Sequence, residues 1–567
     1  MERSQAPRLP GIQLQLLTTP LSSNPVVEPK GVVYTKPWVV ELLLDLAGYA
    51  SGRNLVDAVT IEPAAGDGAF LGAMVERLVD SCERLGRPLA DCANSLIAFE
   101  LDDSSADRAS AMTIDILLRK GAPRTVAEAL ASKWVHTGDY LLEAVSLNAD
   151  FVIGNPPYIR LENIPEEAAA MYRRTYHTMR GRSDLYIAFF EAALTQLNEG
   201  GVCAFICADR WMRNQYGSDL RRLITSRFAV ETVIEMHDAG AFQDEVDAYP
   251  AITVIRCETQ TSTVVASAGP EAERAAPLTL CKVLREVGPD QAVVPVRGLR
   301  AARVTSWFRG SDPWPCHSPE QLALLRRLEE TFPPLEKHAR VGIGVATGND
   351  RVFITKDTRI VEPSRLLKLA LARDIFCGHL KWSGHYLVDP WDRDGLVNLN
   401  AYPRLKAYLE EHAATLKKRH TAERNVRGWY KTIDRVSHAL TPAPKLYIAD
   451  IKDTLNPVLD RGETYPHHNL YFIQGDDWDL EVLGGLLLSA VGQFFVASYG
   501  VRMRGGYLRF QAQYLRRIRV PDPQALSQSQ QMLLKEAFSN RDREQATSIA
   551  LDVYGIAKFE MERALGY

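Results

Sequence analysis

The sequence predicts an α/β protein, with a Rossmann-like domain in its first half and a mixed α+β domain in its second half. Three observations predict this class. Short apolar runs alternate with helical patterns from Gly31 to about Cys257, a glycine-rich turn follows the first run, and the alternation fades in the second half. Such alternation is typical of a largely parallel sheet with helices on both faces. Because 567 residues exceed what one hydrophobic core holds, we expect two domains.

Each element of the first domain has its own signal. Apolar, β-rich runs predict six strands, at Val56–Ile61, Ser95–Phe99, Phe151–Ile153, Val202–Cys207, Ala229–Ile234 and Ala251–Arg256. Amphipathic patterns predict helices between them, including Trp38–Tyr49, Ala69–Leu85 and Ser183–Leu197. We therefore expect a domain over residues 31–257, preceded by an N-terminal extension over 1–30.

The rest of the chain has weaker signals. Small and turn-forming residues accumulate between Glu258 and Ser318, which predicts a connecting region. Short strands, turns and a basic helix around Tyr402–Arg427 follow, and the chain ends in helical patterns. The predicted boundaries are 258–330 for the connecting region, 331–521 for the mixed domain and 522–567 for the C-terminal helices.

Composition limits the class of protein. With 66 basic and 70 acidic residues the net charge is −4, which argues against a histone-like or tail-type nucleic-acid binder but allows a local basic face. The eight cysteines form no CxxC pair, so we predict no metal site and no disulfides, in a reducing cytoplasm. No apolar run approaches the ~20 residues of a membrane span, and the N-terminus lacks the pattern of a signal peptide.

A glycine-rich turn follows the first predicted strand, in the text Glu62-Pro63-Ala64-Ala65-Gly66-Asp67-Gly68. Glycines at the carboxyl end of a parallel strand let the backbone bend tightly and approach a ligand closely. The text matches neither GxxxxGK[ST] nor GxGxxG, so a phosphate-binding loop is not predicted. By itself the turn fits a structural bend as well as a ligand site.

Acidic residues lie at the end of the next predicted strand and at a third strand end downstream. Glu100 follows the strand that ends at Phe99, and Asp139 follows His136-Thr137-Gly138. A carboxylate at such a strand end can accept hydrogen bonds from both ribose hydroxyls of a nucleoside. The second acid could accept from an adenine amine. The separation between the glycine turn and Glu100 exceeds the ~20 residues of dinucleotide folds, so the helix between them must be longer.

The most specific feature is Asn155-Pro156-Pro157-Tyr158, directly after the apolar run Phe151–Ile153. An exocyclic aromatic amine is a poor nucleophile because the ring delocalises its lone pair. The Asn155 side-chain oxygen and the Pro156 carbonyl could accept hydrogen bonds from the two N–H groups of this amine. These hydrogen bonds would localise the lone pair on the nitrogen. Proline fixes φ, so both acceptors are held ready, and Tyr158 offers a flat ring for stacking. In this context a functional loop is favoured over a simple strand-capping turn.

In the order and text of these motifs, the sequence resembles the TaqI-like, gamma-type DNA adenine-N6 methyltransferases, from about Gly31 to Pro521. The resemblance implies a class I methyltransferase domain that binds S-adenosylmethionine, then a target-recognition domain, with double-stranded DNA as partner. The target adenine would be rotated out of the duplex. The sulfonium group of the cofactor would supply the driving force for methyl transfer. We expect a monomer, with any restriction nuclease or defence partner on a separate chain.

The resemblance assigns roles to individual residues. For the cofactor it implies Tyr34, Thr35, Glu62, Pro63, Ala64, Gly66, Gly68, Glu100, Asp139, Tyr140 and Phe189. For the target base it implies Asn155, Pro156, Pro157, Tyr158 and Phe242, with Phe242 stacking on the base opposite Tyr158. Residues 243–250 are more acidic than expected beside DNA, which leaves a core role open for Phe242.

Basic residues interleave with aromatic ones in the second half. Two stretches could contact DNA: Lys417, Lys418, Arg419, Arg424 and Arg427, and then Arg502 and Arg504. Such runs usually form a solvated charged face. DNA contact is favoured mainly because the resemblance places the recognition domain here.

Two other classes of function stay open. Methyltransferases that act on cytosine N4, on RNA bases or on protein glutamine share the NPPY text. Most lack a long recognition half, and the cytosine group more often has serine in place of Asn155. The other class is a DNA-specificity module without catalysis, against which the intact NPPY text argues.

Overall fold

The computed structural model describes residues 33–144, 146–181, 183–243, 249–288, 293–305, 309–314, 319–423, 425–475, 477–500 and 508–565. The strands of the first half are β1 Thr60–Glu62, β2 Leu96–Glu100, β3 Val135–Thr137, β4 Ala149–Gly154, β5 Leu197–Ala208, β6 Ala229–Glu235, β7 Pro250–Arg256, β8 Ser262–Ala268, β9 Val293–Val296 and β10 Leu299–Thr305. Its helices are α1 Pro37–Ala47, α2 Ala69–Arg84, α3 Asp103–Arg119, α4 Arg124–Trp134, α5 Tyr140–Glu143, α6 Glu166–Thr175, α7 Tyr186–Gln196, α8 Arg210–Arg213, α9 Ser218–Arg227, α10 Pro277–Glu286 and α11 Pro319–Thr331.

One ten-stranded sheet organises this half, in the order β3-β2-β1-β4-β5-β7-β6-β8-β10-β9. The first five strands in this order, β3, β2, β1, β4 and β5, are parallel to one another. Strand β7 runs antiparallel to both β5 and β6. Val152 belongs to one apolar core and its neighbour Ile153 belongs to the other. Because successive side chains of a strand point to opposite faces, the sheet has an apolar core on each face, and helices cover both. The predicted α/β, Rossmann-like class is confirmed.

The residues at the ends of α1 explain its limits. Pro37 occupies the first turn, where its missing N–H costs nothing, and Gly48 ends the helix with a φ of 77°. Leu42, Leu43 and Leu44 are buried under the sheet. The helix places the preceding residues, 33–36, beside the carboxyl ends of the parallel strands.

The sheet continues beyond Cys257, where the sequence predicts that the first domain ends. Strand β8 pairs in parallel with β6, and β10 pairs antiparallel with β8 and β9. The prediction of a connecting region over 258–330 is therefore wrong for residues 262–268, 293–296 and 299–305, which are strands of this sheet. The reason is that β8 is made of Ser, Thr, Val and Ala, small residues that resemble a linker in composition but pack closely.

In the part of the second half that the structure describes, there are two four-stranded sheets and two short ribbons. Its strands are β11 Arg340–Ile343, β12 Ile354–Thr355, β13 Leu366–Ala370, β14 Tyr386–Val388, β15 Trp391–Asp392, β16 Gly395–Leu396, β17 Lys445–Ala449, β18 Ile451–Lys452, β19 Val458–Asp460, β20 Tyr465–Pro466, β21 Leu470–Gln474 and β22 Leu508–Arg509. Its helices are α12 Asp350–Phe353, α13 Pro403–Glu411, α14 Ala413–Lys417, α15 His420–Glu423, α16 Leu480–Leu488, α17 Ala490–Tyr499, α18 Ala512–Leu515, α19 Gln528–Asn540, α20 Arg543–Tyr554 and α21 Lys558–Leu565.

The terminal helices belong to the core of this second half. Leu534 of α19 and Tyr554 of α20 lie in one apolar cluster with Leu446 of β17 and Ile473 of β21. The C-terminal helices are thus part of the mixed domain. Among the described helices, none is by itself long and apolar enough to cross a membrane. Helices α16 and α17 together pass by length and composition, but the pair bends by 67°.

A buried ion pair lies inside this domain and leads to a stability prediction. Lys445 Nζ is 2.8 Å from Asp460 Oδ2, and both side chains are fully buried. We expect Lys445→Ala to lower the free energy of unfolding by about 3–5 kcal/mol, because it leaves a buried carboxylate without its cation. Denaturant unfolding measures this. The control is Arg461→Ala, which breaks an exposed pair with Glu481 and should cost less than about 1 kcal/mol. Equal losses in the two variants would contradict the prediction.

Candidate active site

A cavity of about 390 Å³ lies at the carboxyl ends of β1, β2, β3 and β4. Parallel strands of one sheet end at the same edge, so residues far apart in sequence meet there. The cavity brings together twelve of the residues predicted for the site: Tyr34, Thr35, Pro63, Ala64, Gly66, Glu100, Asp139, Tyr140, Asn155, Pro156, Pro157 and Phe189. A single cavity therefore joins the glycine turn, the strand-end acids and the NPPY loop.

The glycine turn forms one wall of this cavity. Gly66 and Gly68 have φ angles of 56° and 88°, which favour glycine. A Cβ on Gly68, which begins α2, would also collide with Met112 of α3. Gly66 N donates to Glu100 Oε2 at 2.7 Å, and Asp102 N donates to Glu100 Oε1 at 3.0 Å. Glu100 therefore holds the turn in place while it lines the cavity.

Glu62 lies directly behind this wall. It is 1% exposed, and neither carboxylate oxygen has a hydrogen-bond partner within the described parts of the chain. Burial raises the pKa of Glu62 well above its usual value, and the nearby Glu100 and Asp67 raise it further. A buried carboxyl group without a hydrogen-bond partner is costly, so Glu62 is a residue that could bind a cationic group.

An aromatic and acidic wall lies on the other side. The rings of Tyr140 and Phe189 stack at 5.4 Å with an interplanar angle of 29°. Asp139 caps α5 through Leu141 N at 2.9 Å and accepts from the Tyr172 hydroxyl at 2.6 Å. Burial raises the pKa of Asp139 despite these hydrogen bonds. Sequence reasoning missed Tyr172, since only the folding of α6 over the cavity brings it to Asp139.

The orientation of the Asn155 amide is fixed by its surroundings. Its Nδ2 donates to the Val33 carbonyl at 2.9 Å and to Thr35 Oγ1 at 3.1 Å. The opposite atom, Oδ1, is buried and accepts no hydrogen bond from any residue that the structure describes. The Val33 carbonyl can only accept a hydrogen bond, so the NH₂ end of the Asn155 amide must face it. An acceptor is thus held ready beside the cavity.

Tyr158 and Phe242 come together but do not line the cavity as the described residues define it. Their rings meet edge to face at 6.1 Å and 74°. Phe242 forms an isolated antiparallel bridge with Thr35, and Gln243 N donates to the Tyr34 carbonyl at 2.9 Å. The loop after β6 is therefore fastened to the segment that orients Asn155. With the two rings in contact, there is no open slot between them in this conformation.

A charged cluster anchors the start of this loop and leads to a prediction about pH. His237 Nε2 lies 3.0 Å from Asp209 and its Nδ1 lies 2.7 Å from Glu235. Burial lowers the pKa of His237, but the two carboxylates outweigh this and raise the pKa to about 9.

The protonated His237 therefore stabilises the fold below its unfolded pKa of about 6.5, and this stabilisation is lost as the pH rises through about 9. We expect the midpoint of thermal unfolding to fall between pH 7 and pH 10 more steeply for the parent than for His237→Gln. Parallel profiles would contradict this.

The residues predicted to contact DNA lie in different environments. Lys417, Lys418 and Arg427 are exposed, and Lys417 Nζ lies 5.1 Å above the Trp429 ring. Arg419 is half-buried instead and donates to the carbonyls of Leu416, Thr347, Trp429 and Lys431. The Arg419 side chain thus holds together the backbone segments around residues 347, 416 and 429–431. Arg424, Arg502 and Arg504 lie outside the described residues.

The fold and the cavity together define a Rossmann-like methyltransferase. Residues 126–242, which run from α4 through the NPPY loop to Phe242, match the family model described as Eco57I restriction-modification methylase. The chain is 42% identical to the type II methyltransferase M.PaeR7I of Pseudomonas aeruginosa, over 97% of this chain and 96% of that protein. It is 40% identical to the type II methyltransferase M.XhoI of Xanthomonas vasicola, over 94% and 99%.

These identities extend over nearly the whole chain. The chain therefore belongs to the type II methyltransferases of restriction-modification systems. Among solved structures, the type IIL restriction-modification enzyme MmeI in complex with DNA has a similar fold. The TM-score is 0.53 at 13% identity, over 93% of this chain and 73% of that one.

Proposed function

We propose that the protein transfers a methyl group from S-adenosylmethionine to N6 of an adenine that is rotated out of double-stranded DNA at a specific sequence. The observation that carries this proposal is the unpaired Asn155 Oδ1, buried beside the cavity within the described structure. An acceptor in that place suits an amine that must lose its conjugation with a ring. The family relationship makes methyl transfer its reaction.

The cavity has the chemistry needed to hold S-adenosylmethionine, which supplies an electrophilic methyl group on a positively charged sulfur. Glu100 suits the two ribose hydroxyls. The stacked pair of Tyr140 and Phe189 suits the adenine ring. Asp139 retains free lone pairs for the adenine amine, because each of its oxygens can accept more than one bond. Glu62, with both oxygens unpaired among the described residues, suits the cationic methionine end.

The NPPY loop holds the substrate amine in this proposal. Asn155 Oδ1 accepts a hydrogen bond from one N–H group of the amine, and the Pro156 carbonyl accepts a hydrogen bond from the other. The lone pair then points away from the ring plane. Both acceptors are fixed before the substrate arrives, so no reorganisation is needed during transfer. The proton leaves only after the methyl group is attached, since the methylated amine is acidic enough to lose it to water.

Adenine is the proposed base because the loop begins with asparagine. Cytosine N4 is the second candidate, since its exocyclic amine has the same chemistry and would meet the same two acceptors. The resemblance favours adenine, because the cytosine enzymes more often have serine at the position of Asn155.

Base capture requires Tyr158 and Phe242 to part. Rotating a base out of the duplex costs a few kcal/mol, which stacking on an aromatic face offsets. The Tyr158 hydroxyl is buried without a partner among the described residues, so its ring is held mainly by apolar contacts with Tyr186 and Phe242. A ring held in this way can shift at low cost to admit a flat base.

The second half is proposed to bind the DNA backbone and read the sequence. Lys417, Lys418 and Arg427 are exposed on it. We expect Lys418→Ala to weaken DNA binding and to reduce the slope of log K against log[salt] by about 1, as loss of one phosphate contact would. Arg419→Ala should instead lower the midpoint of thermal unfolding, because four carbonyls lose their hydrogen bonds to the guanidinium group. Fluorescence anisotropy at several salt concentrations measures binding. The same salt slope in the parent and Lys418→Ala would contradict the role of Lys418.

The test of the proposed function is product analysis with purified protein. DNA, RNA and a protein mixture are each incubated with S-adenosylmethionine that carries a deuterated methyl group, and then hydrolysed for mass spectrometry. We expect the label in N6-methyladenine from DNA alone. Label in N4-methylcytosine would show that the target is the second candidate, cytosine N4, and not adenine N6. Label only in RNA or in protein glutamine would overturn the proposal.

A further inference from the structure

Three potential metal ligands converge in the second half, and none of them lines the catalytic cavity. Asp350 begins α12, whereas His467 and His468 form the turn between β20 and β21. Their nearest ligand atoms all lie within 4.8 Å of one another. The carboxylate and the imidazoles are more than a hundred residues apart, so no spacing rule in the sequence connects them, and the sequence predicted no metal.

The distance between two of these groups suits a shared ion. His467 Nε2 lies 3.3 Å from Asp350 Oδ2 and 3.4 Å from Oδ1. A charge-assisted hydrogen bond is about 2.7–2.9 Å long. Two ligands that are each about 2.0–2.1 Å from a zinc ion lie about 3.3–3.4 Å apart at the tetrahedral angle. The observed separation is long for a direct bond and right for two ligands of one ion.

The two histidines point in the same direction. Successive side chains of an extended strand point to opposite faces, but here the turn brings the rings of His467 and His468 to 4.0 Å. His467 is 4% exposed and therefore fixed in place. His468 is exposed, so its ring can rotate about χ1 and χ2 to close the remaining distance. This arrangement provides one buried, fixed ligand in His467 and one exposed, adjustable ligand in His468.

A hydrogen-bond partner outside the cluster orients the carboxylate. Thr347 Oγ1 donates to Asp350 Oδ1, as the outer partners of metal sites do. A neutral imidazole nitrogen has a lone pair that can bind a metal, so the two histidines and the oriented carboxylate provide three donors of suitable type.

We propose that Asp350, His467 and His468 together bind one divalent ion of the zinc class, with water completing a tetrahedral shell. Imidazole nitrogens and a carboxylate oxygen are donors that such ions prefer. The ion would join α12 to the turn before β21 and so stabilise this part of the second half. Binding replaces water ligands of the ion by the three side chains and changes no covalent bond of the protein, and the proposal does not depend on the methyl-transfer reaction.

The test is cobalt binding by the full chain after treatment with EDTA and removal of the chelator. Tetrahedral Co²⁺ has strong visible absorption, which reports the number and type of its ligands. We expect one Co²⁺ per chain, displaced by Zn²⁺. His468→Ala and Asp350→Ala should each weaken binding at least tenfold. His420→Ala, an exposed histidine outside the cluster, should leave binding unchanged.

Thermal unfolding separates metal binding from damage to the fold. With EDTA present, His468→Ala and Asp350→Ala should unfold within a few degrees of the parent, because both side chains are exposed. Added Zn²⁺ should raise the midpoint for the parent and not for these two variants. Absence of cobalt uptake by the parent overturns the proposal, as does undiminished uptake by both variants.

Discussion

Replacing Asn155 by alanine is expected to lower the turnover number by at least about a hundredfold to a thousandfold, the usual cost of removing one fixed polar partner of a reacting group. The substrate amine would lose the acceptor that localises its lone pair. The affinity for S-adenosylmethionine should be largely unchanged, because Asn155 Nδ2 contacts Val33 and Thr35 of the protein itself. Single-turnover methylation and isothermal titration measure the two quantities.

The matched control for this variant is Asn163→Ala, since Asn163 is an exposed asparagine a few residues beyond the same loop. It should methylate at the parent rate. Turnover by Asn155→Ala equal to that of the control would remove Asn155 from the reaction. A large loss of cofactor affinity with an unchanged rate of transfer would make Asn155 a structural support for the cavity instead.

Replacing Glu100 by alanine is expected to produce the second large effect, a loss of cofactor affinity of roughly tenfold to a hundredfold. Hydrogen bonds to a charged group contribute about 1.5–3 kcal/mol each, and this carboxylate would bind the ribose. It also holds the Gly66 and Asp102 amides, so its loss would let the glycine turn move away from its bound position. Isothermal titration with S-adenosylmethionine measures the change.

Asp115→Ala is the control for Glu100→Ala, because Asp115 is an exposed acid on α3 that pairs only with its neighbour Arg119 among the described ion pairs. It should bind the cofactor with parental affinity. If Glu100→Gln restores affinity to the parental level, hydrogen bonding without charge is sufficient. Unchanged affinity in Glu100→Ala would contradict the ribose-binding role.

The sequence predicted β1, β2, β4 and β5 of the parallel part because each contains a short apolar run next to a strong helical pattern. The fifth parallel strand, β3, is Val-His-Thr and has no apolar run of its own. It could not show that β7 runs antiparallel, since apolar periodicity has no direction. It also missed β8, whose small residues satisfy the pairing of a sheet without the bulk that identifies a strand, and β10, in which two arginines interrupt the apolar pattern. Partner choice in a sheet depends on contacts between distant segments, and composition does not encode them locally.

The cavity was more predictable than its surroundings. Motif residues such as Asn155 and Glu100 follow strand ends, and strand ends of a parallel sheet meet at one edge. Tyr172 and Arg419 show where this reasoning stops. Tyr172 contacts Asp139 only because α6 folds across the cavity, and Arg419 is occupied by backbone carbonyls rather than exposed to DNA. Both roles depend on tertiary contacts that a linear pattern does not contain.

The most direct test of the central claim is sequencing, with detection of modified bases, of the genome of cells that lack other DNA methyltransferases and express this chain. We predict N6-methyladenine at every copy of a single short motif, and an unmodified genome when the chain carries Asn155→Ala. Methylated cytosine at the motif, or the same N6-methyladenine pattern with Asn155→Ala, would contradict the account.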